Sequence, residues 1–317
     1  MAAPNNLKFG VELVTFFHPQ FWNVTTSEQI VRAASADPKK FWDRILDSIQ
    51  ESGVTGLEIC FPPFDWKGTI AAYGSPAGFA VALHSRGLEL ASGFSVELNR
   101  IEFLQDKSAM CLLLDKATAY SRFLRECGGA SLVVSLPLRS NRNARPASFV
   151  DLDLMRRVAD FLHQVGTIVL DQGIELVVHT EAHSLLCTAR DVDLLMALTD
   201  PYYVSLCPDT GHLILAGADP IKVVERHLER VAISHWKDAI GPLPRDFLID
   251  ATVYDRNVPY FRRVGAGIVD WTRWMNLLRV ARFKGWAILE VDTVPDPVAE
   301  IKAGREFIEK SLLSIYA

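Results

Sequence analysis

Short, nearly continuous apolar runs alternate with longer amphipathic segments along the whole chain. Runs that are apolar at consecutive positions, rather than at every second one, are typical of parallel strands buried on both faces. The sequence predicts eight such strands, at 7–16, 54–61, 88–96, 130–138, 174–183, 202–212, 230–238 and 285–292. Parallel strands need long crossover connections, and the amphipathic segments can supply them.

The amphipathic segments carry apolar residues at helical spacing, as at Phe41, Ile45 and Ile49 in the segment 38–52. The remaining segments predict helices near 69–86, 107–126, 148–171, 188–199, 219–228, 270–283 and 297–314. Left-handed helix ends before the next strand are predicted at five glycines, Gly53, Gly87, Gly129, Gly173 and Gly285. Eight strand–helix units in a chain of about 300 residues predict the α/β fold class and a (β/α)8 TIM barrel.

The predicted loops are long on one side of the barrel only. Turns from helix to strand are short, whereas long loops follow the first, second and seventh strands, at 17–37, 62–68 and 239–268. That side of a TIM barrel carries the chemistry, so the pattern is typical of an enzyme. No Pro/Ser-rich linker divides the chain, which predicts one TIM-barrel domain over 1–317. The insertion at about 239–268 is predicted to be a lid or a partner-binding element.

Four predicted strands end in a side chain that can bind a metal: Glu181, Asp209, His235 and Glu290. Parallel strands bring their C-terminal ends to one face, so these distant residues are predicted to converge. Three carboxylates and one imidazole suit a divalent ion, with Mn²⁺ preferred and Co²⁺, Mg²⁺ or Zn²⁺ as alternatives. Singly, Asp209 could cap a helix and Glu290 could be a satisfied buried carboxylate. Three carboxylates buried together without a cation would be costly, which favours the metal site.

Three further residues are predicted to act on the substrate. His183 lies beyond the strand end that carries Glu181 and is a candidate general base, or else a loop histidine bonded to a backbone carbonyl. His212 follows a Thr-Gly turn and can point back to the open side of the metal. Lys237 shares the inward face of its strand with His235 and could neutralise an enolate or alkoxide.

Two neighbouring polar residues have structural interpretations. His179 shares a strand face with Glu181 but lies two residues deeper, so a packed histidine is expected there. Asp238 is expected either to orient Lys237 or to cap a turn.

Aromatic residues crowd the first two long loops. They are Phe16, Phe17, Phe21, Trp22, Phe61, Phe64 and Trp66. They predict a hydrophobic vestibule for a substrate with an apolar or aromatic part, and self-packing or an oligomer interface is the alternative.

Composition and charge exclude several classes of function. The net charge is −5 and no long basic run is present, so electrostatic nucleic-acid binding is not expected. The first residues lack the pattern of a signal peptide, and no apolar run approaches the roughly 20 residues that span a bilayer. Five cysteines without a CxxC pair predict reduced core thiols in a cytoplasmic protein. The expected partner is a small molecule, with neither nucleic acid nor membrane.

Three stretches of the C-terminal half resemble a known family. They are TDPYYVSLCPDTGHLILAGADPIKVVERHLERVAISHWKDA (199–239), RRVGAGIVDW (262–271) and GWAILEVD (285–292). The chain resembles the xylose-isomerase-like TIM barrels of the sugar phosphate isomerase/epimerase superfamily, and inosose dehydratases most. The first half resembles them only in outline, through GVELVTFF and GLEIC. The resemblance implies that Glu181, Asp209, His235 and Glu290 are metal ligands and that His212 and Lys237 lie near the substrate.

One departure from inosose dehydratases concerns the substrate. Those enzymes tend to carry an HxH pair where this chain has His179-Thr180-Glu181. The aromatic vestibule also looks more like the catalytic subunit of C-glycoside deglycosidases, barrels of the same superfamily that cleave 3-oxo-glucosides of aromatic aglycones. This likeness implies an oligomer that works with a small β-rich partner subunit.

Both relatives imply a metal-dependent lyase acting on a keto sugar, a cyclitol or a 3-oxo-glycoside. A base, His183 or a metal-bound carboxylate, would take the proton beside the ketone, and a group β to the carbonyl would leave. A ketose epimerase or sugar isomerase, which reprotonates instead, is the first alternative. An abasic-site endonuclease is disfavoured by the acidic charge and by too few ligands for a metal cluster. A non-catalytic subunit that keeps the barrel without the metal is the last alternative.

Overall fold

The computed structural model describes residues 7–99, 104, 106–139, 150–244, 246–250 and 252–316. Within them the strands are β1 (Leu7–Glu12), β2 (Gly56–Ile59), β3 (Glu89–Ser95), β4 (Ser131–Val134), β5 (Glu175–His179), β6 (Ser205–Cys207), β7 (Ser234–Trp236), β8 (Asp238–Ala239), β9 (Phe261–Arg262) and β10 (Gly285–Leu289). One eight-stranded sheet has the order β6-β5-β4-β3-β2-β1-β10-β7, and its paired strands are parallel. The short strands β8 and β9 pair antiparallel.

The sheet closes on itself between β6 and β7. Isolated parallel bridges join Leu206 to Val231 and Asp209 to His235. The amide of Ala232 also donates to the carbonyl of Leu206 at 3.2 Å. The closed sheet confirms the predicted α/β TIM barrel, and all eight strands open at one mouth.

Helices surround the barrel. They are α1 (Ser27–Ala36), α2 (Pro38–Ser52), α3 (Trp66–Tyr73), α4 (Pro76–His84), α5 (Lys107–Glu126), α6 (Leu152–Asp171), α7 (Ala189–Leu198), α8 (Thr210–Leu215), α9 (Pro220–Glu225), α10 (Val253–Asn257), α11 (Trp271–Ala281), α12 (Pro297–Ser311) and α13 (Leu313–Tyr316). The predicted ranges 38–52 and 107–126 coincide with α2 and α5. Both helices begin at an aspartate that accepts a backbone amide, Asp37 from Lys40 at 3.0 Å and Asp106 from Ser108 at 2.8 Å.

The predicted helix 69–86 is wrong as a single element. The chain forms α3 and α4 there, because Gly74 takes the left-handed conformation at φ 79° and ends α3. The Ser75 side chain then accepts the amide of Gly78 and caps α4, which opens on Pro76.

Glycine helix ends are confirmed in part. Gly53, Gly87 and Gly173 have positive φ as predicted, whereas the predictions at Gly129 and Gly285 are wrong. The left-handed residues there are Gly128 (φ 83°) and Arg282 (φ 52°). The preceding helices therefore turn one to three residues earlier than the sequence suggested.

Several elements lie inside segments that were predicted as loops. The first long loop contains α1, and the insertion contains α10, β8 and β9. The predicted strand 202–212 is wrong at its end, because β6 stops at Cys207 and the short helix α8 begins at Thr210. These additions all lie on the mouth side of the barrel, so they shape the site rather than the core.

Large side chains fill the space between the barrel and the helix layer. Trp42, Phe79, Phe123 and Trp274 are fully or almost fully buried there. Four of the five cysteines are buried, but Cys111 is exposed, so the prediction of a core thiol is wrong at that position. Among the helices described, none is long and apolar enough to cross a membrane.

Candidate active site and metal centre

The register of the strands places polar residues side by side at the mouth. Glu12 of β1 lies opposite Glu58 of β2, and Glu58 lies opposite Ser92 of β3. Across the closing edge, Asp209 after β6 bridges to His235 of β7. All five side chains are buried. They come from distant parts of the sequence, and closure of the barrel makes them neighbours.

Asp209 uses its two carboxylate oxygens differently. Oδ1 accepts the amide of His212 at 2.8 Å and so caps α8. Oδ2 is buried without a hydrogen-bond partner among the described residues. A Cβ at Gly211 would lie 2.7 Å from Cγ of Lys237, so glycine is needed to admit the lysine stem. The Asp-Thr-Gly-His sequence therefore caps a helix and keeps one carboxylate oxygen available to the site.

Three potential ligand atoms, from His179, Asp209 and His235, lie mutually close, and an oxygen of Glu290 lies beside His235. His179 Nε2 is 3.5 Å from Asp209 Oδ2, which is 3.9 Å from His235 Nδ1. His235 Nδ1 is 3.0 Å from Glu290 Oε2. Two ligands at about 2.1 Å from one ion lie about 3.0 Å apart at a right angle and about 3.4 Å apart in a tetrahedron. The separations of 3.0 and 3.5 Å are close to these values, and that of 3.9 Å requires a wider angle at the ion.

Buried polar atoms without partners lie in the same place. In the described part of the chain, both ring nitrogens of His179, Oδ2 of Asp209 and Oε2 of Glu181 are buried and make no hydrogen bond. Leaving such an atom unsatisfied costs about 1–3 kcal/mol. Imidazole and carboxylate ligands together suit a borderline divalent cation. The residues present therefore fit a metal.

Glu181 lies beyond the end of β5 rather than within it. The strand ends at His179, and Glu181 lines the cavity from the following turn, where its amide donates to Leu186 at 3.1 Å. Burial raises the pKa of the Glu181 carboxyl to about 7, although hydrogen bonds from Tyr254 and Ser135 act in the opposite direction. The close group of ligand atoms thus contains His179, for which the sequence suggested a packing role. Its position on one strand face with Glu181 was the available signal.

Lys237 is a buried cation among acids. Its Nζ contacts a carboxylate oxygen of Glu290 and lies 2.9 Å from Asp292 Oδ1 and 3.5 Å from Asp209 Oδ2. Burial acts to lower the pKa of Lys237, but these three acids hold it well above its usual value, so the amine is charged. Burial likewise opposes ionisation of Asp209, yet Lys237 brings the pKa of that carboxyl down to about 2.

His212 faces the same lysine. Its Nδ1 accepts the amide of Ala182 at 3.1 Å, and its Nε2 lies 3.2 Å from Lys237 Nζ. Burial and the lysine charge hold the pKa of His212 well below its usual value, so the ring is neutral. Because Nδ1 accepts a hydrogen bond, the neutral ring carries its hydrogen on Nε2. With Nε2 protonated, its contact with the ammonium is a close approach of two donors rather than a hydrogen bond. His212 lines the cavity, and Lys237 lies next to it.

A second set of buried acids lies behind His235. Glu58 Oε1 is 3.0 Å from His235 Nε2, a contact without hydrogen-bond alignment, and Glu58 Oε2 accepts the Ser92 hydroxyl at 2.5 Å. Glu12, Glu58 and His235 also offer three mutually close ligand atoms. Burial and the charge of Glu290 hold the pKa of Glu12 well above its usual range. A carboxylate in the place of Glu58 commonly orients a metal-bound histidine.

A cavity of about 330 Å³ opens above these residues. Its floor is polar and includes Glu12, His179, Glu181, His212, Glu290 and Asp292. Its walls are mainly apolar and include Val14, Phe17, Phe61, Phe94, Val258 and Phe261. Of the aromatic residues predicted for a vestibule, Phe17 and Phe61 line the cavity. Phe16 and Phe64 are fully buried instead. Trp22 stacks on Phe41, with ring centroids 4.0 Å apart. Such a cavity suits a ligand with a polar and an apolar end.

Asp238 holds the insertion rather than Lys237. Its carboxylate accepts the amides of Ala239 at 2.9 Å, Gly265 at 3.2 Å and Val269 at 3.0 Å. It also accepts Nε1–H of Trp271 at 2.8 Å. One buried side chain therefore joins the start of the segment 239–268 to its end.

His183 lies at the edge of the site. Its ring stacks on Phe247 and its Nε2 is 3.3 Å from Asn257 Oδ1. Among the described residues that line the cavity, Asn257 is present and His183 is not.

A closed parallel barrel with side chains at its strand mouth that could hold a metal ion defines a TIM-barrel protein with a candidate metal centre. The chain belongs to the xylose isomerase-like TIM barrel family, which matches residues 46–311.

Several known proteins are similar to this chain. An inosose dehydratase from Geobacillus kaustophilus (strain HTA426) is 26% identical over 283 residues, which cover 84% of this chain and 86% of that protein. The crystal structure of the IOLI protein with a bound zinc atom superposes with a TM-score of 0.68 at 13% identity and covers 98% of both chains. The apo structure of a 3-keto-D-glucoside 4-epimerase from E. coli has a TM-score of 0.65 at 14% identity, covering 96% of this chain and 99% of that one. The two structural likenesses concern the fold.

Proposed function

We propose that the protein is a divalent-metal-dependent lyase that acts on an oxidised sugar, a cyclitol or a 3-oxo-glycoside. The observation that carries this proposal is the cluster of metal-binding side chains beside a buried ammonium, at the floor of a cavity with apolar walls. The similarity to inosose dehydratases supports a lyase that works next to a ketone. The reaction would be proton abstraction beside the ketone followed by β-elimination.

Asp209, His235 and Glu290 are the proposed constant part of the metal site. Glu181 was the fourth ligand expected from the sequence, and the 3.5 Å contact between His179 and Asp209 supports His179 in that place. A bound divalent ion supplies Lewis-acid polarisation of a substrate carbonyl. Mn²⁺ is the preferred metal, and Zn²⁺ is supported by the zinc atom bound to the IOLI protein.

Lys237 and His212 are proposed to stabilise the negative charge that develops on the substrate oxygen. Their Nζ and Nε2 atoms are 3.2 Å apart, so one oxygen atom can accept hydrogen bonds from both. Both donors are buried, which strengthens their interaction with an oxyanion relative to water. The stabilised species is an enolate whose electron pair came from the broken C–H bond.

The proton acceptor is proposed to be a carboxylate of the cavity floor. Glu181 and Asp292 both line the cavity, and burial raises the pKa of each carboxyl to about 7. His183, the base expected from the sequence, is the competing candidate. The proton taken from carbon then passes to the group that leaves the β-carbon, and the enolate electrons form the new double bond.

The leaving group decides between two substrate classes. Loss of water from an inosose gives a dehydratase, and loss of an aglycone from a 3-oxo-glycoside gives a deglycosidase. The apolar wall formed by Phe17, Phe61, Phe94 and Phe261 supports a substrate with an apolar or aromatic aglycone. We also propose a cytoplasmic oligomer, with a small β-rich partner subunit in the deglycosidase case.

The test is incubation of the metal-reconstituted protein with inosose, a 3-oxo-C-glucoside and a 3-oxo-O-glucoside of one aromatic aglycone. Elimination is followed by the absorbance of the conjugated ketone and by release of the aglycone. The Glu290→Gln variant should lose at least about 100-fold in rate, because it removes a proposed ligand. Turnover of none of the three compounds would remove the proposal.

A keto-sugar epimerase is the second candidate. The similarity in fold to a 3-keto-D-glucoside 4-epimerase favours it, since the same enolate reprotonated on its other face gives an epimer. Reaction in deuterium oxide separates the two. Deuterium in the recovered sugar without any elimination product would identify an epimerase.

A further inference from the structure

The backbone of His183 is fixed to the barrel. The amide of Arg139 donates to its carbonyl at 2.8 Å, and the next residue, Ser184, forms a bridge with Leu138. His183 itself has φ 70°, in the left-handed region that residues other than glycine seldom adopt, although asparagine, aspartate and histidine occur there more often than the rest. Such a conformation is kept where its surroundings determine it, so the direction of the ring is set by the barrel.

The ring of His183 reaches the insertion. It stacks on the ring of Phe247 with centroids 5.5 Å apart and an interplanar angle of 10°, and its Nε2 is 3.3 Å from Asn257 Oδ1. The guanidinium of Arg256 lies over Phe247, 4.6 Å from its centroid. His183 therefore contacts the insertion at two places: at Phe247, which precedes α10, and at Asn257, the last residue of α10.

The same turn makes another contact with α10. Tyr254 hydrogen-bonds the Glu181 carboxylate, two residues before His183. Tyr254, Asn257 and Val258 all line the cavity. The segment that these contacts hold therefore forms a wall of the cavity, and this wall belongs to the insertion rather than to the strands.

We propose that His183 is a positioning residue that locks the insertion against the barrel and thereby completes the wall that selects the substrate. The side chains it controls surround the part of a ligand that lies away from Asp209 and His235. The insertion therefore determines which distal group is accepted. The part of this inference that concerns substrate selection rests on the proposed function, whereas the locking of the insertion does not.

The test uses His183→Asn, because asparagine tolerates positive φ and so removes the ring with little backbone strain. Hydrogen exchange and limited proteolysis of the metal-loaded protein should show at least about tenfold faster exchange and cleavage within 246–258, since each 1.4 kcal/mol of lost local stability is a factor of ten. Phe247→Ala should reproduce this effect. His84→Asn, which changes an exposed histidine on the outer helix α4, should not.

The kinetic part of the test separates positioning from proton transfer. For a substrate with a large distal group, His183→Asn should raise KM about tenfold and change kcat less than about threefold, the pattern of lost uniform binding. For a substrate without that group, both constants should stay near the wild-type values.

Two outcomes would overturn the inference. One is unchanged exchange and cleavage in 246–258, which would show that His183 does not hold the insertion. The other is a fall in kcat of more than about 100-fold with unchanged KM, which would identify a proton-transferring residue. If neither wild type nor variant turns over any substrate, the exchange result still decides the locking role while the proposed function fails.

Discussion

At the scale of single residues, the site combines side chains that serve the fold with side chains free to bind a ligand. Asp209 illustrates both, because Oδ1 caps α8 while Oδ2, which makes no hydrogen bond among the described residues, lies 3.5 Å from Lys237 Nζ and from His179 Nε2. Glu58 touches His235 behind the site and is itself held by Ser92. The fold therefore fixes the direction of these groups before any ligand arrives, which is the basis of a preorganised site.

The choice between His179 and Glu181 as the fourth ligand can be tested with two variants. His179→Ala is expected to lower bound Mn²⁺ to well under half an equivalent, because it removes the proposed ligand atom Nε2, which lies 3.5 Å from Asp209 Oδ2. Glu181→Ala should retain most of the metal, with an affinity loss below about tenfold. The measurement is metal content by mass spectrometry after dialysis, with the helix residue His84→Ala as control. The reverse result would restore Glu181 as the ligand.

The metal-free protein should become less stable as the pH rises, because Glu181 is protonated in the folded state at pH values where the unfolded chain has already lost this proton. Burial raises the pKa of this carboxyl from 4.5 to about 7. Between these values the folded state holds a proton that the unfolded state has lost, so the free energy of unfolding falls with pH. One such proton contributes a slope of about 1.4 kcal/mol per pH unit.

Urea unfolding in the presence of a chelator between pH 5 and 7 measures that slope. Glu181→Gln should reduce it by about one proton, and the exposed Glu229→Gln should leave it unchanged. The lowered pKa of Asp209, about 2, acts only at more acidic pH and does not enter this window. An identical slope in wild type and Glu181→Gln would contradict the assignment.

The sequence alone predicted that Asp209, His235 and Glu290 converge, because each lies at the C-terminal end of a strand whose direction the barrel fixes. It predicted Glu181 as the fourth ligand and a packing role for His179, although both lie on one face of the same apolar run. The choice between them depends on where β5 ends, and pairing with β6 ends it at His179 opposite Cys207. The contacts of Glu58 and Glu12 were also missed, since neither stands out in an apolar strand until β1 and β2 are aligned.

At the scale of elements, the insertion depends on one buried carboxylate. Asp238 accepts four hydrogen bonds, from residues at both ends of the segment 239–268. Asp238→Asn replaces one acceptor oxygen by a donor, which would face Gly265 N–H and Trp271 Nε1–H. A buried donor without an acceptor costs about 1–3 kcal/mol, so we expect a loss of unfolding free energy of that size.

Thermal unfolding and proteolysis check the Asp238 prediction. The variant should unfold at a lower temperature and be cut more rapidly within 239–268. The exposed Asp246→Asn lies in the same segment and should behave as wild type. Equal unfolding temperatures for Asp238→Asn and wild type would mean that the hydrogen bonds to Asp238 do not stabilise the insertion.

Helices with a strong amphipathic pattern and capping residues could be predicted from the sequence, as could the short helix α9 within the predicted range 219–228, whereas α8 and α10 were missed. α2 and α5 begin directly after Asp37 and Asp106, and both matched their predicted ranges. α8 and α10 have six and five residues, too few for a periodic pattern. Their helical form depends on local contacts such as the Asp209 cap and, in α10, on the contacts with His183 and Glu181.

At the scale of the whole molecule, the barrel has one weakly joined edge. Seven pairs of neighbouring strands share ladders, one of which, between β2 and β3, has a register shift after Leu57. In the described residues β6 and β7 are joined only by two isolated bridges. The amides of Ala232 and His235 donate across this edge, to Leu206 and Pro208 at 3.2 and 3.0 Å. The proposed ligands Asp209 and His235 lie on opposite sides of the same edge. A metal bound by both would add a cross-link where the sheet has few hydrogen bonds of its own.

Metal removal should therefore loosen this edge before the rest of the barrel. Backbone amides of 232–236 are expected to exchange at least about tenfold faster in the metal-free protein, because a ligand that binds only the closed state stabilises it by mass action. Amides between β3 and β4, far from the edge, should exchange at similar rates with and without Mn²⁺. Hydrogen exchange read by mass spectrometry measures both regions at once, and Asp209→Ala in the presence of Mn²⁺ should reproduce the metal-free pattern. A uniform change over all strands would instead mean that the metal stabilises the barrel as a single unit, since a cross-link at one edge must act there first.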